Sequence, residues 1–448
     1  MQTKRNTRRK EKRGSSRRGG GGTAPLWCAL LLAVSAAATA CSGGGDDAAG
    51  GGETPDPRRE VSRTLPDIDP PLRFAADGTS LGTFDRTQGY VVDDAVLFHS
   101  LDGTQLVSHD LATDKRRLSV SFDSYNASLS PPTVSNGRVF VTYLTEVRGT
   151  GTLANRYMTR VQALDAKTGR TLWAINLKKH YSSALEAKFA SRPHIFAADA
   201  QHVVVEAHFD QGTYTALLAA DKGTLLWDDP LFVPVAFDGQ VVAGQVLSPG
   251  GNVSLTEGRA VADGRHLWKL PAKPPVKNDL SDWGSAYGVP EAGSTHQAFF
   301  LARIDEATAA EPPPHVLLYR VADGKRFLGL DDAINNTIEP GDCRDDGRRT
   351  IVCGTDRVVV AYDDRSGKKL WKLPDVAAGR VAPGVTAVRH GIVYGTTDNG
   401  AVALDARTGR DRTTDLSIAP EYVGRGFGLA YGETAGDQDE LYVYPAVD

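Results

Sequence analysis

The chain has 448 residues, 41% hydrophobic and 24% charged, and its 51 Lys and Arg against 55 Asp and Glu give a formal net charge of −4. This composition is too apolar for a disordered chain, and the apolar residues are too dispersed for a protein with several membrane spans. The 47 glycines follow no collagen period, and four cysteines are too few for a disulfide scaffold.

The charge is divided unevenly along the chain. Residues 1–40 carry nine Lys and Arg and one acidic residue, so the rest holds 42 basic against 54 acidic residues, a net charge of −12. An acidic excess argues against nucleic-acid binding, which needs a basic surface. We therefore expect an acidic domain behind a basic leader, with no nucleic-acid partner.

Residues 1–40 are predicted to be a signal peptide. The basic stretch ends at Arg18, and the apolar segment 26–40 has the length of a signal-peptide core and is short for a membrane-spanning helix. It closes on Ala38-Thr39-Ala40-Cys41, which resembles the lipobox of bacterial lipoproteins. That resemblance implies cleavage before Cys41 and attachment of lipid, including palmitate, to Cys41. Ordinary secretion with a chance cysteine is the alternative.

Residues 41–62 are rich in Gly and Asp and contain no large apolar side chain that could anchor a core. Such a composition predicts a flexible tether between the lipid on Cys41 and a domain at 63–448. We therefore expect an extracytoplasmic protein that contacts the cell membrane through the lipid on Cys41.

A repeated pattern occupies the rest of the chain. An apolar strand, an acidic turn with Gly and a second strand with a bulky residue recur, most clearly as VQALDAKTGRTLW at 161–173. Three further copies end at Trp227, Trp268 and Trp371, and weaker copies fill the intervals. Asp bonds back to turn amides and Gly supplies positive φ, so each copy predicts a hairpin. A second hairpin precedes most copies, as at Asn136-Gly137, so each unit predicts a four-stranded sheet.

The repeats predict an all-β propeller. Their step of about 47 residues suits four-stranded blades, and no useful helical period follows residue 62. Strands at 426–444 lack a closing turn, and a lone outer strand lies near 72–83. Sharing one blade between the two ends would close the ring. We expect eight blades, with seven as the alternative.

The sequence of the motif resembles that of the pyrroloquinoline-quinone-like (PQQ-like) repeat family of β-propellers. The resemblance implies that Trp173, Trp227, Trp268 and Trp371 dock between neighbouring blades.

Cys343 and Cys353 flank a short predicted hairpin. An even pair in an exported protein favours a disulfide, while two free thiols or a metal pair stay open because the strand register is unknown.

Motifs for catalysis are missing. The sequence contains no G-x-S-x-G elbow, H-E-x-x-H zinc helix, P-loop or dinucleotide fingerprint. His202, Glu206 and His208 would share one strand face and could approach a metal, but solvated polar residues at a strand end are the favoured interpretation. We therefore predict no catalytic residue, no cofactor and no metal.

Two functional classes follow from the resemblance. One is a non-catalytic scaffold for an envelope protein partner, similar to the lipoprotein subunit of the β-barrel assembly machinery. The other is a quinoprotein dehydrogenase that binds quinone and calcium, whose adjacent cysteine pair has no counterpart here. A small-molecule or glycan sensor is a third possibility. We predict the scaffold, as a monomer, with insertions at 146–158, 273–295 and 303–314 as candidate specificity loops.

Overall fold

A computed structural model describes most of the domain within the compact unit Glu60–Asp448. The described residues are 65–83, 89–113, 115–181, 183, 187, 192–209, 212–248, 253–271, 287–288, 299–304, 315–331, 334, 342–355, 357–432 and 439–447. The predicted signal peptide, Cys41 and the predicted tether lie outside these residues. Over the described part of the chain, no helix is long and apolar enough to cross a membrane.

The described residues form eight four-stranded antiparallel sheets, which are the blades of a propeller. The last blade combines the first strand of the chain, Thr79–Thr83, with the last three strands, and a 3₁₀ turn lies at Tyr125–Ala127. The first four blades contain β2 (Tyr90–Asp93), β3 (Val96–Leu101), β4 (Gln105–Asp110) and β5 (Lys115–Ser121); β6 (Thr133–Ser135), β7 (Arg138–Val147), β8 (Arg156–Asp165) and β9 (Thr171–Tyr181); β10 (His194–Ala198), β11 (His202–Phe209), β12 (Gly212–Ala219) and β13 (Leu225–Asp229); β14 (Phe232–Phe237), β15 (Val241–Leu247), β16 (Val253–Ala260) and β17 (His266–Pro271).

The other four blades follow the same order from the axis outward. They contain β18 (Tyr287–Gly288), β19 (Phe299–Ile304), β20 (His315–Arg320) and β21 (Arg326–Gly329); β22 (Cys343–Asp345), β23 (Thr350–Gly354), β24 (Val359–Asp363) and β25 (Lys369–Leu373); β26 (Gly384–Arg389), β27 (Ile392–Thr397), β28 (Gly400–Asp405) and β29 (Asp411–Leu416); β30 (Tyr422–Gly424), β31 (Phe427–Gly432), β32 (Glu440–Pro445) and β1 (Thr79–Thr83).

The acidic turns form as the sequence predicts. In blade 2, Asp165 Oδ1 accepts hydrogen bonds from the backbone N–H of Lys167 at 3.1 Å and of Thr168 at 2.8 Å, and from the Thr168 hydroxyl at 2.8 Å. Asp405 holds the corresponding turn of blade 7 through the same three kinds of bond. The aspartate therefore fixes the turn that joins the two outer strands.

A β-bulge precedes the docking position on the outer strand. In blade 2, Trp173 pairs with Ala163 and Thr171 pairs with Leu164, so Leu172 is the extra residue. The same shift occurs before Trp227, Trp268 and Trp371. Because a bulge adds local twist, it turns the outer strand toward the next blade.

The core is distributed over the seams between blades. Each of the eight clusters of buried apolar side chains among the described residues joins two neighbouring blades. The cluster between blades 3 and 4, for example, brings Val204 and Trp227 against Phe232 and Val242. Burial between blades therefore provides the main apolar stabilisation of the ring.

Each repeat tryptophan docks on the turn of the following blade. The indole N–H of Trp173 donates to the carbonyl of Ala220 at 2.9 Å, and a β-carbon on Gly223 would lie 2.5 Å from the Trp173 ring. Gly223 also has φ +68°, which side chains rarely adopt. The other three indoles donate in the same way, Trp227 to Val261, Trp268 to Val321 and Trp371 to Ala406.

The two ends of the domain close the ring in blade 8. Strand β1 pairs antiparallel with β32, with Thr79 opposite Val443, and Phe74 forms an isolated bridge with Ala446. Phe74 belongs to the cluster between blades 7 and 8, and Leu81 belongs to the cluster between blades 8 and 1. The prediction of eight blades with a shared closing blade is confirmed, and the seven-blade alternative is wrong.

Replacing Trp173 tests the docking contact. Trp173→Ala should lower the free energy of unfolding by about 3–5 kcal/mol, because it empties a buried site and removes the bond to Ala220. The neighbouring Leu172→Ala is the control and should change it by less than about 0.5 kcal/mol, since Leu172 is 38% exposed. Equal effects of the two substitutions in urea unfolding would contradict this account of the seam.

Leu81→Ala tests closure of the ring. Leu81 is buried against blades 8 and 1, so the substitution should cost about 2–5 kcal/mol and lower the melting temperature of the whole domain in one transition. Val376→Ala, at an exposed position, is the control. An unchanged melting curve for Leu81→Ala would reject closure through β1.

Candidate functional site

The alternation of strands gives the propeller two distinct faces. The β6–β7 and β8–β9 turns lie at one end of blade 2, and the β7–β8 connection lies at the other. We call these ends the turn face and the loop face. Since the blades share this topology, the β19–β20 connection, which contains most of the insertion 303–314, also joins strands at the loop face. Residues 305–314, and 273–295 apart from Tyr287–Gly288, lie outside the described residues.

The insertion 146–158 forms an ordered tip on the loop face. Glu146 accepts hydrogen bonds from the Asn155 amide at 2.7 Å and the Tyr157 hydroxyl at 3.1 Å. Asn155 in turn accepts the backbone N–H of Gly149 at 3.0 Å. These bonds hold the hairpin that presents Leu153, which is 63% exposed. Leu153 is therefore an exposed apolar side chain on a loop that side-chain hydrogen bonds hold in place.

The bulge residues add a second set of exposed apolar side chains. Leu172, Leu226 and Leu267 occupy equivalent positions on the outer strands of blades 2, 3 and 4 and are each partly open to solvent. Their neighbours Trp173, Trp227 and Trp268 face the seams instead. Because of the bulge, consecutive residues of the outer strand point differently: the leucine is exposed, and the tryptophan that follows it docks in the seam.

A disulfide joins the first two strands of blade 6. Cys343 lies directly opposite Cys353 in the antiparallel pair β22–β23, and their sulfurs are bonded at 2.01 Å. Both residues are buried in the seam between blades 5 and 6. The register that the sequence left open therefore brings the two side chains together.

The polar residues of blade 3 cluster differently from the sequence interpretation. His202 turns to Asp199, with its Nδ1 3.2 Å from the carboxylate, and takes no part in the cluster. His194, on the neighbouring strand β10, lies opposite Glu206 instead. Its Nε2 is 3.3 Å from Glu206 Oε2, and His208 Nε2 is 3.2 Å from Glu206 Oε1. We call His194, Glu206 and His208 the His-Glu-His cluster.

Burial shifts the ionisation of all three groups. It raises the pKa of Glu206 to about 7, and together with the charge of His208 it lowers the pKa of His194 to about 4. Burial also lowers the pKa of His208. Near neutral pH both imidazoles are therefore uncharged, and each has a nitrogen lone pair.

The central channel contains a cavity of about 720 Å³ lined by inner strands of blades 1, 2, 6, 7 and 8. Its polar lining includes Arg344, Asp345, Arg389, His390 and Glu421. Arg389 and His390 both bind the carboxylate of Asp69, at 2.7 Å and 2.9 Å. Asp69 therefore neutralises part of the positive charge on the cavity wall.

Comparison with known proteins agrees with this architecture. A family model of the PQQ type, described as outer membrane protein assembly factor BamB, matches residues 157–295 and 341–421. The chain is an eight-bladed β-propeller, and these two stretches match the PQQ-like repeat family. No curated protein matches it.

Several solved structures are similar to this chain at low sequence identity. BamB from Moraxella catarrhalis is 12% identical with a TM-score of 0.45, over 82% of this chain and 100% of that one. Quinohemoprotein alcohol dehydrogenase ADHIIG from Pseudomonas putida HK5 is 11% identical with a TM-score of 0.46, over 85% and 78%. Saccharomyces cerevisiae Sqt1 is 12% identical with a TM-score of 0.47, over 85% and 99%.

The residues of the cavity do not fit the quinone and calcium that some PQQ-like propellers hold. The two described cysteines are bonded across strands, ten positions apart, and are not adjacent. Calcium takes six to eight oxygen ligands, whereas the one three-residue metal-binding group found in the described chain is the His-Glu-His cluster, off the lining. We therefore derive no redox step at this cavity.

Tryptic digestion tests the disulfide. Trypsin cleaves after Arg344, Arg348 and Arg349, so only the bond between Cys343 and Cys353 would hold their peptides together. We expect one linked peptide pair by mass spectrometry, which separates after reduction. The double substitution to Ser should lower stability by about 2–3 kcal/mol, as expected for a short closed loop. Separate peptides from the unreduced protein would disprove the bond.

Proposed function

We propose that the chain is an exported lipoprotein whose propeller acts as a non-catalytic scaffold for a protein partner at the cell envelope. The matching family model is described as an outer membrane protein assembly factor, and assembly factors act through contacts with other proteins. The proposal extends that role, contact with envelope proteins, to this chain.

The observation that carries the proposal is the ordered tip of the β7–β8 hairpin. Leu153 is exposed there although the surrounding loop is fixed by Glu146 and Asn155. A side chain on a fixed loop loses less conformational entropy on binding than one on a loop that must first become ordered, and this favours affinity. The exposed leucines at the bulges offer further apolar contact on the rim of the ring.

The predicted anchor keeps the ring near the membrane without fixing its orientation. A Gly-rich segment as long as 41–62 has a root-mean-square span of about 26 Å. Lipid on Cys41 would therefore restrict the propeller to a thin layer above the bilayer. In that layer the effective concentration of a membrane-bound partner is high.

Site-specific photo-cross-linking in native membranes tests the scaffold. A cross-linking amino acid at Leu153 should yield one discrete product, because the tip contacts the partner. The same probe at Val376, which is 87% exposed on the connection between β25 and β26, is the matched control and should yield less than about a tenth as much. Leu153→Asp, combined with a probe at Val147, should abolish the product.

Two controls separate the parts of the proposal. Cys41→Ser should move the chain out of the membrane fraction, and a chain that stays there would reject the lipid anchor. Equal products at Leu153 and Val376 would reject the interface. A visible-absorbing quinone recovered with the purified chain, together with dye-linked alcohol oxidation, would overturn the non-catalytic assignment in favour of the dehydrogenase.

A further inference from the structure

We propose that the His-Glu-His cluster, formed by His194, Glu206 and His208, binds a single Zn²⁺ ion. This site lies within blade 3 and does not depend on the proposed scaffold role. Two imidazoles and one carboxylate are ligands that zinc takes in proteins, and three protein ligands leave a fourth position for water.

The distances within the cluster suit a tetrahedral ion. Zinc bonds to imidazole nitrogen and carboxylate oxygen at about 2.0–2.1 Å, so neighbouring ligand atoms of a tetrahedron lie about 3.3 Å apart. His194 Nε2 lies 3.3 Å from Oε2 of Glu206 and His208 Nε2 lies 3.2 Å from Oε1, so each imidazole is at this spacing from a different oxygen of the carboxylate. All three ligand atoms lie within 4.8 Å of one another. An ion could therefore enter with small movements of the side chains.

The backbone holds the ligands in this arrangement. His194 and Glu206 are direct partners in the β10–β11 pair, and His208 follows Glu206 by two residues on the same strand face. The register of β11 with β12 continues unbroken through these positions. The ligands thus come from paired strands and not from a loop, which favours a defined geometry.

Thr213 provides a second contact for one ligand. Its hydroxyl lies 3.3 Å from Nδ1 of His208, on the ring nitrogen opposite the one that faces Glu206. Metal-bound histidines usually make such a bond through the other nitrogen, which fixes the ring and its tautomer. Nε2 of His208 is therefore the nitrogen available to the ion.

No Lys or Arg among the described residues forms an ion pair with Glu206. Its side chain is only 7% exposed, and its contacts with basic side chains in the described part of the chain are those with the imidazoles of His194 and His208. Glu257, which is 1% exposed, also contacts a histidine, His266, at 2.9 Å, but Arg259 binds it at 2.7 Å and Lys269 lies 3.6 Å away. Buried carboxylates are normally paired with a cation or bound to a metal. A divalent ion would do for Glu206 what Arg259 does for Glu257.

Solvent reaches the cluster from one side. Both imidazole side chains are 38% exposed, whereas the carboxylate between them is buried. An ion can therefore arrive from water and keep a water molecule in its fourth position. The side chains form an open three-ligand site and not a closed structural one.

Calorimetric titration with ZnCl₂ tests the site. The untagged full chain, stripped with EDTA and dialysed, should bind one Zn²⁺ per chain with micromolar or tighter affinity. His194→Ala, Glu206→Gln and His208→Ala should each weaken binding at least 30-fold. Thr213→Val should weaken it about 10-fold, as expected when the bond behind a ligand is lost. His202→Ala is the matched control, because His202 shares the strand face but binds Asp199, and it should leave the affinity unchanged.

Two further measurements keep the test decisive. Circular dichroism and melting curves identify any variant that fails to fold. A His→Ala variant that fails to fold is replaced by the His→Gln substitution at the same position. Co²⁺ in place of Zn²⁺ should give the visible absorption of a tetrahedral site, which disappears when Zn²⁺ is added. No binding by the native chain, or binding that survives His194→Ala with His208→Ala, would overturn the proposal. Equal loss in His202→Ala would also overturn it.

Discussion

The contact between a tryptophan of one blade and a turn glycine of the next connects the local repeat to the ring. Trp173, on the outer strand of blade 2, reaches the turn that contains Gly223 in blade 3, and its indole N–H binds the carbonyl of Ala220. Gly223 meets two requirements at once, because the turn needs positive φ and the indole occupies the space where a β-carbon would lie. A residue that looks like a simple turn former therefore also sets how closely two blades approach. The β-bulge before each tryptophan turns the strand so that this contact can form.

This arrangement places the apolar core in the seams and leaves the connections at the loop face with few structural duties. A longer connection there removes no buried contact. Its cost in loop-closure entropy also rises only slowly with its length. The ordered tip around Leu153 is an example, since its hydrogen bonds lie within the hairpin itself. The closing strand β1 and the residues just before it, in contrast, contribute buried contacts. Phe74 and Leu81 enter two different seams, so the short N-terminal segment completes the core on both sides of blade 8.

Properties that depend on neighbours in sequence could be predicted, and those that depend on register could not. The alternating strands, the Asp and Gly turns and the docking of Trp follow from short patterns, and they specify blades and their number. The partner of Glu206 could not be read in this way. His202 shares a strand face with Glu206 and suggested a cluster, yet the decisive residue, His194, lies on another strand and meets Glu206 only through the pairing of β10 with β11. The disulfide was similarly open until the register placed Cys343 opposite Cys353. The bulges gave no sequence signal apart from the leucine before each repeat tryptophan, which is exposed before Trp173, Trp227 and Trp268.

The seam between blades 3 and 4 contains two buried carboxylates that are neutralised in different ways. Glu257 and Arg259 lie on one face of β16, and Arg259 crosses the seam to Asp229 while its guanidinium lies over the ring of Phe232. That network is complete and holds the outer part of the seam together. Glu206 lies on the same face of β11 as Val204, which packs into this seam. Its partners are the imidazoles of His194 and His208, which are uncharged near neutral pH. Two histidines, which bind metals as neutral ligands, make this carboxylate suitable for a metal site in a way that the arginine beside Glu257 does not.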